Sequence, residues 1–257
     1  VKKKRLTAII AIILAVVILA GVISVPILKS KGYLSKGNKP IYSVASIETP
    51  FYSPIEGKTV IFLGSSVTYG SAARGESVVD YLEKKDMINV VKEAVPGTTL
   101  VDSGKESYIK RMEALDKNIN ADMFICQLST NDATKNKKRG AVSESFDPEN
   151  FDTSTIAGAI EYIIWYAKET WNCPVCFYTN PKYDSKKYQE MVDLLLEIQK
   201  KWDIDVIDLW NNEEFTNLTD EDRKLYQADK IHPTRAGYKN LWLTEFEKYL
   251  YVRLSEE

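Results

Sequence analysis

The chain has one histidine, His232, and three cysteines, Cys126, Cys173 and Cys176, among 257 residues. It has no excess of either charge: 34 Lys and Arg stand against 36 Asp and Glu, a formal net charge of -2. Each shortage excludes something. One imidazole with scattered thiols does not supply the roughly four ligands a structural zinc needs, so no metal site is expected. A balanced charge gives no whole-molecule field for nucleic acid, and no nucleic-acid partner is expected. Cys173 and Cys176 form the tight pair CPVC, but the segment reads as a strand, where positions three apart face opposite ways, so buried free thiols are expected rather than a disulfide. No internal repeat is visible.

Long apolar runs are also scarce, with one exception. Leu6 to Leu28 is uncharged, mostly apolar and flanked by basic residues, enough helix to cross a hydrocarbon layer of ~30 Å. It exceeds the ~7 to 15 apolar residues of a removable signal peptide, and no clear A-x-A cleavage pattern follows it. The expectation is therefore an uncleaved transmembrane signal anchor, with secretion after cleavage as the alternative. The basic stub 1–5 then lies in the cytoplasm, 6–28 crosses the membrane, 29–57 is an extracytoplasmic tether, and 58–257 is one extracytoplasmic domain at the cell surface. Oligomeric state is left open.

What fills that domain is an alternation of short apolar runs with helical periodicity. Strands are expected at 59–64, 89–95, 122–129, 174–180 and 205–210, and helices over 76–86, 105–118, 155–170, 185–201 and 234–250. Near-continuous apolar strands between helices imply an α/β fold of three layers, α/β/α, around a five-stranded parallel sheet. Ligands in such sheets sit beyond the carboxyl ends of the strands.

Three of those ends, and the segment before the last helix, carry candidate catalytic residues. The first strand runs into GSSVTYG, leaving Ser65 and Ser66 at its exit, with glycines at 64 and 70 permitting a tight turn. A serine hydroxyl needs a base, and the single imidazole lies in DKIHPTRAG before the last helix. Asp229, three residues earlier, can hold the imidazole tautomer. Gly97 after the second strand and Asn131 after the third can offer a backbone and an amide N–H to an oxyanion. Taken singly, each is an ordinary cap or turn.

Together these motifs resemble those of the SGNH hydrolases, also called GDSL esterases and lipases, over roughly residues 58 to 250. The resemblance implies a flavodoxin-like SGNH hydrolase fold, with Ser66 as nucleophile, Asp229 and His232 as acid and base, and the Ser66 N–H, Gly97 and Asn131 as oxyanion donors. No metal or organic cofactor is implied. Ser65 stands where the family usually has Asp, and Ser129 where it usually has Gly. The α/β-hydrolase alternative fails on spacing, since a G-x-S-x-G elbow needs a glycine two residues after the serine, and here it comes four after.

The expected reaction is hydrolysis of an ester through an acyl-enzyme. An acetyl or other short-acyl ester on a carbohydrate is the first substrate class. The alternatives are a lysophospholipase or thioesterase, an O-acyltransferase with the same triad, and a non-catalytic binding protein. Ser65, Tyr69, Tyr183 and Trp210 are the candidate substrate contacts, because aromatic rings at strand ends can stack on sugars. The polar loop 133–152, carrying Lys135, Lys137, Lys138 and Arg139, is a candidate lid or grip for acidic glycans.

Overall fold

The structure, a computed structural model, describes Leu28 and residues 32–255. Strands β1 (Thr59–Gly64), β2 (Asn89–Ala94), β3 (Met123–Gln127), β4 (Val175–Tyr178) and β5 (Asp205–Ile207) form one parallel sheet in the order β2-β1-β3-β4-β5. The intervening helices are α1 (Ser66–Tyr69), α2 (Val78–Asp86), α3 (Tyr108–Glu113), α4 (Thr130–Thr134), α5 (Ile156–Trp171), α6 (Lys186–Trp202), α7 (Glu213–Thr216) and α8 (Asp220–Tyr226). After them α9 (Arg235–Gly237) passes through a π-helical turn, Tyr238–Trp242, into α10 (Leu243–Leu254).

Residues 60 to 63 of β1 are all fully enclosed, which requires cover on both faces of the sheet. Alternation supplies two separate cores. Ile61, Leu63, Phe124, Cys126 and Phe177 pack under α3, α5 and α6. Val60, Phe62, Ile125, Cys176 and Tyr178 pack under α2 and α10. This is the expected three-layer α/β/α arrangement. The winding direction reverses between β1 and β3, and this switch point opens a crevice beyond their carboxyl ends. Cys173 and Cys176 join opposite cores as free buried thiols.

Several boundaries differ from the sequence expectation. The helix expected over 105–118 shrinks to α3, because Ser107 caps it late, accepting from Lys110 N, and the Asp116 carboxylate turns the chain by accepting from Asn118 N. The last strand, expected to reach 210, ends at Ile207. The helix expected over 234–250 carries the π turn and runs on to Leu254.

The stretch expected as a tether is docked over its middle. Asn38 is fully buried: its Nδ2 donates to the carbonyls of Gly32 and Ala72 at 2.6 and 2.7 Å, and its Oδ1 accepts from Arg235 N at 2.8 Å. Gly37 presses against Leu225 O and Thr234, where a Cβ would lie 1.9 Å from that oxygen. Composition alone suggested a linker because none of these long-range partners is visible locally. The expected membrane span lies outside the described residues apart from Leu28, and among the described residues no helix is long and apolar enough to cross a membrane.

Removing the Asn38 amide leaves two enclosed backbone groups, Ala72 O and Arg235 N, without partners and Gly32 O with Ser35 N alone, at about 1–3 kcal/mol for each group left unsatisfied. Asn38→Ala is therefore expected to lower the urea midpoint clearly, and an unchanged midpoint would show that this segment is not seated on the domain.

Candidate active site

The nucleophile turn is built from the floor upward. Gln127, the last residue of β3, is fully buried, and its Oε1 accepts from Ser65 N at 2.9 Å, Thr68 Oγ1 at 2.8 Å and Thr68 N at 3.3 Å. A Cβ on Gly64 would lie 1.6 Å from Thr68 Oγ1, so only glycine lets α1 fold back this tightly over the end of β1. Ser66 becomes the first residue of α1, and a first-turn N–H has no acceptor within its own helix. That N–H is free to receive a developing negative charge.

His232 reaches the same point from the far end of the chain. Its loop is closed by Ala228 N donating to His232 O and Thr234 N donating to Tyr226 O, both at 2.9 Å, while Thr234 caps α9. The ring then stands with Nε2 2.8 Å from Ser66 Oγ and Nδ1 2.8 and 3.0 Å from the two Asp229 oxygens. An ionised carboxylate can only accept, so Nδ1 carries the proton and Nε2 is left to accept from the Ser66 hydroxyl. Asp229 Oδ1 also accepts from the backbone N–H groups of Ile231 and His232, both at 2.8 Å, which fixes the carboxylate itself. This row has the geometry for general-base removal of the serine proton.

Opposite it stands the loop after β2. Gly97 is exposed and adopts φ of 83°, the left-handed region in which glycine avoids a ~1–2 kcal/mol penalty. Its carbonyl accepts from Lys135 Nζ at 2.6 Å. The neighbouring Thr98 carbonyl accepts from Asn131 Nδ2 at 3.0 Å and Ser129 Oγ at 3.3 Å. Asn131 Nδ2 also donates to Ser65 Oγ at 3.2 Å, so the Asn131 amide sits beside the nucleophile turn. The two family departures thus have local roles: Ser65 receives the Asn131 amide, and Ser129 caps α4 by accepting from Asn131 N at 3.2 Å.

The candidate substrate contacts divide. Tyr69 is exposed, with the Lys92 ammonium 5.9 Å from its ring centroid. Tyr183 lines a cleft of about 450 Å³ on the Asp229 side, together with Lys182, Arg223 and Lys230. Ser65 is fully enclosed and meets the amides of Gln127 and Asn131, so it supports the turn and cannot touch a substrate directly. Trp210 is 2% exposed, packed against Tyr183 and Tyr188 with its indole N–H on Gln189 Oε1, and is too enclosed to stack on a sugar.

Three supporting residues escaped sequence reasoning. Gln127 looked like one more strand position. Arg111 is nearly buried and donates to Gly64 O, Thr98 Oγ1 and Glu93, tying the ends of β1 and β2 to the Thr98 loop. Asp132, next to Asn131, accepts from Leu100 N and Val101 N at 2.8 and 3.2 Å and so holds the far side of that loop. Burial pushes its carboxyl above the usual range, and these hydrogen bonds oppose the rise. Only Asp132 had a local signal, its place in STND. Among the described residues no cluster of three or more His, Cys, Asp or Glu is placed to hold a metal ion.

A model of the GDSL-like Lipase/Acylhydrolase family matches residues 62–239. A search of curated proteins found no match. Solved structures are similar at low identity. A GDSL-like protein from Bacteroides ovatus is 17% identical with a TM-score of 0.57, covering 76% of this chain and 98% of its own. A G-D-S-L family protein from Desulfitobacterium hafniense is 18% identical with a TM-score of 0.56, covering 75% and 99%. A family two carbohydrate esterase from Clostridium thermocellum, solved with cellohexaose, is 12% identical with a TM-score of 0.53, covering 81% and 67%. At these identities the likeness is one of fold.

Desolvation works to raise the Asp229 carboxyl, but the His232 ring and the two backbone N–H groups outweigh it and hold it at about 2. An unfolded Asp titrates near ~3.9, so the contribution of this carboxylate is complete above about pH 4 and is lost as pH falls toward 2. The stability gap between the protein and Asp229→Asn, read from urea unfolding, should stay level from neutral pH down to about 5 and then close below about pH 4. A gap that widened on acidification would contradict the pairing.

Proposed function

Given that the chain belongs to the GDSL-like lipase/acylhydrolase family, we propose that it is a serine esterase cleaving acetyl or other short-acyl esters of carbohydrates through an acyl-enzyme on Ser66. The observation that carries this reading is the unbroken row from Asp229 through His232 to Ser66, with 2.8 Å at both its outer contacts.

Ser66 Oγ attacks the ester carbonyl as its proton passes to His232 Nε2, and the carbonyl electron pair becomes an oxyanion facing the Ser66 N–H, the Gly97 loop and the Asn131 amide. Collapse of this intermediate breaks the bond to the alcohol, which leaves with the proton from Nε2. Water then attacks the acyl-serine, giving its proton to the same nitrogen, and the acid departs as Ser66 recovers its hydrogen. Asp229 stabilises the imidazolium at each stage. It is half-exposed, so solvent screens it more than a buried triad acid would be screened.

The carbohydrate assignment draws on the surroundings. The cleft beside Gly97 is lined by charged and hydroxyl side chains, which can hydrogen-bond a sugar. The Clostridium thermocellum relative in fold is itself a carbohydrate esterase. The basic-flanked run 6–28 supports a further reading: a single-pass anchor holding the domain outside the cell, so that the glycan would belong to the surface. Release of the intact chain into the medium, or resistance of the domain to protease added to whole cells, would overturn that placement.

Ser66→Ala is expected to abolish turnover of acetylated sugars and p-nitrophenyl acetate, together with labelling by a fluorophosphonate probe. Asn131→Ala should lower kcat by about 10²–10³-fold with a smaller change in KM. Full activity in Ser66→Ala would end the proposal, and activity that rises steadily with acyl length would move the substrate to lipids.

A further inference from the structure

Beyond the oxyanion loop lies a cavity of about 470 Å³, within the range of small-molecule clefts, that shares Gly97 and Thr98 with that loop. Its other walls include Thr99, Ser103, Lys105 and Lys135. Its lining carries two cations, Lys105 and Lys135. Lys105 has no hydrogen-bond or ion-pair partner among the described residues, although it lines the cavity. Lys135 Nζ donates to the Gly97 carbonyl at 2.6 Å and Lys137 Nζ to Ser103 Oγ at 2.9 Å, while the charge of Lys137 also acts on the buried Asp132 carboxyl. The single acidic side chain of the lining is Glu106.

We infer that this cavity is an anion subsite: it takes a carboxylate or phosphate carried by the alcohol portion of the substrate while the ester carbonyl lies at Ser66. Lys105 and Lys135 line the pocket and Lys137 is bonded to its Ser103 wall, so an anion held inside it would meet ammonium groups at contact range, where screening over ~8 Å at physiological salt is weak. The hydroxyls of Thr99 and Ser103 can complete the hydrogen-bonding of such a group. Lys135 is the link to catalysis, since the side chain that faces the cavity also grips the carbonyl of Gly97. An anion drawn to this ammonium is thereby placed next to the oxyanion loop. The inference rests on the esterase reading for the position of the ester and on the lysines alone for the anion.

Binding and turnover separate the two. The direct test follows amide resonances of Thr98, Thr99 and Lys105 in Ser66→Ala as methyl galacturonate, glycerol 3-phosphate or neutral methyl galactoside is added. The carboxylate or the phosphate, whichever is the true class, should shift these resonances, the neutral sugar should bind about tenfold more weakly, and about 0.5 M salt should erase the difference. Lys105→Glu should weaken the anion about tenfold. Equal binding of charged and neutral sugars, or anion binding that Lys105→Glu leaves unchanged, overturns the subsite. In the unmodified chain, the ratio of kcat/KM for acetylated methyl galacturonate over acetylated methyl galactoside should exceed one and fall with salt. Salt-sensitive anion shifts without any Ser66-dependent turnover would remove the esterase reading and leave the anion site standing.

Discussion

All five strands run the same way, so their carboxyl ends arrive at one edge of the sheet, and the reactive groups depend on that shared delivery. The constraint becomes tight at Gln127. A single buried amide oxygen takes the backbone N–H of Ser65 and the hydroxyl and N–H of Thr68, so the end of β3 dictates the turn that leaves β1. Thr68 passes the restraint on to Tyr178 at the end of β4, 2.6 Å away. The nucleophile turn is thus fastened to its neighbours by side chains as well as by the sheet ladder.

The two halves of the site are held differently. On the Ser66 side the supports are enclosed: Ser65, Thr68 and Gln127 are without exposure, and Arg111 gathers the ends of β1 and β2 from behind. On the other side Asp229 is half-exposed, and the His232 loop is kept by backbone pairing, the Thr234 cap and the docked Asn38. The serine therefore sits on a rigid base while the imidazole is presented by a loop. Asn38 ties the chain ahead of the first strand to the residue that opens α9, so the segment leading into the domain takes part in holding the histidine loop.

The oxyanion side carries a related division. Asp132, Ser129 and Asn131 all grip the loop from Thr98 to Val101, and all belong to one short turn after β3. The two residues that depart from the family pattern, Ser65 and Ser129, both make hydrogen bonds to Asn131. Hydroxyls at these positions act on the placement of the Asn131 residue, Ser65 through its amide and Ser129 through its backbone N–H.

How much of this was legible can be read from particular residues. Strand alternation, the three layers, the opposite facing of Cys173 and Cys176, and the candidacy of Ser66, Asp229, His232, Gly97 and Asn131 were all available in the sequence. Each rests on local pattern or on a short motif whose chemistry is intrinsic to its residue types. The burial of Trp210 and Ser65, the docking of Asn38, and the parts played by Gln127 and Arg111 were not. A side chain's exposure and its distant partners depend on what the rest of the chain packs against it, and periodicity within a dozen residues does not encode that. The sequence by itself determined which groups could react. Only the tertiary structure decided that Ser66 and His232 meet at 2.8 Å, and that Lys105 and Lys135 line one cavity beside Gly97, because both depend on contacts between segments far apart along the chain.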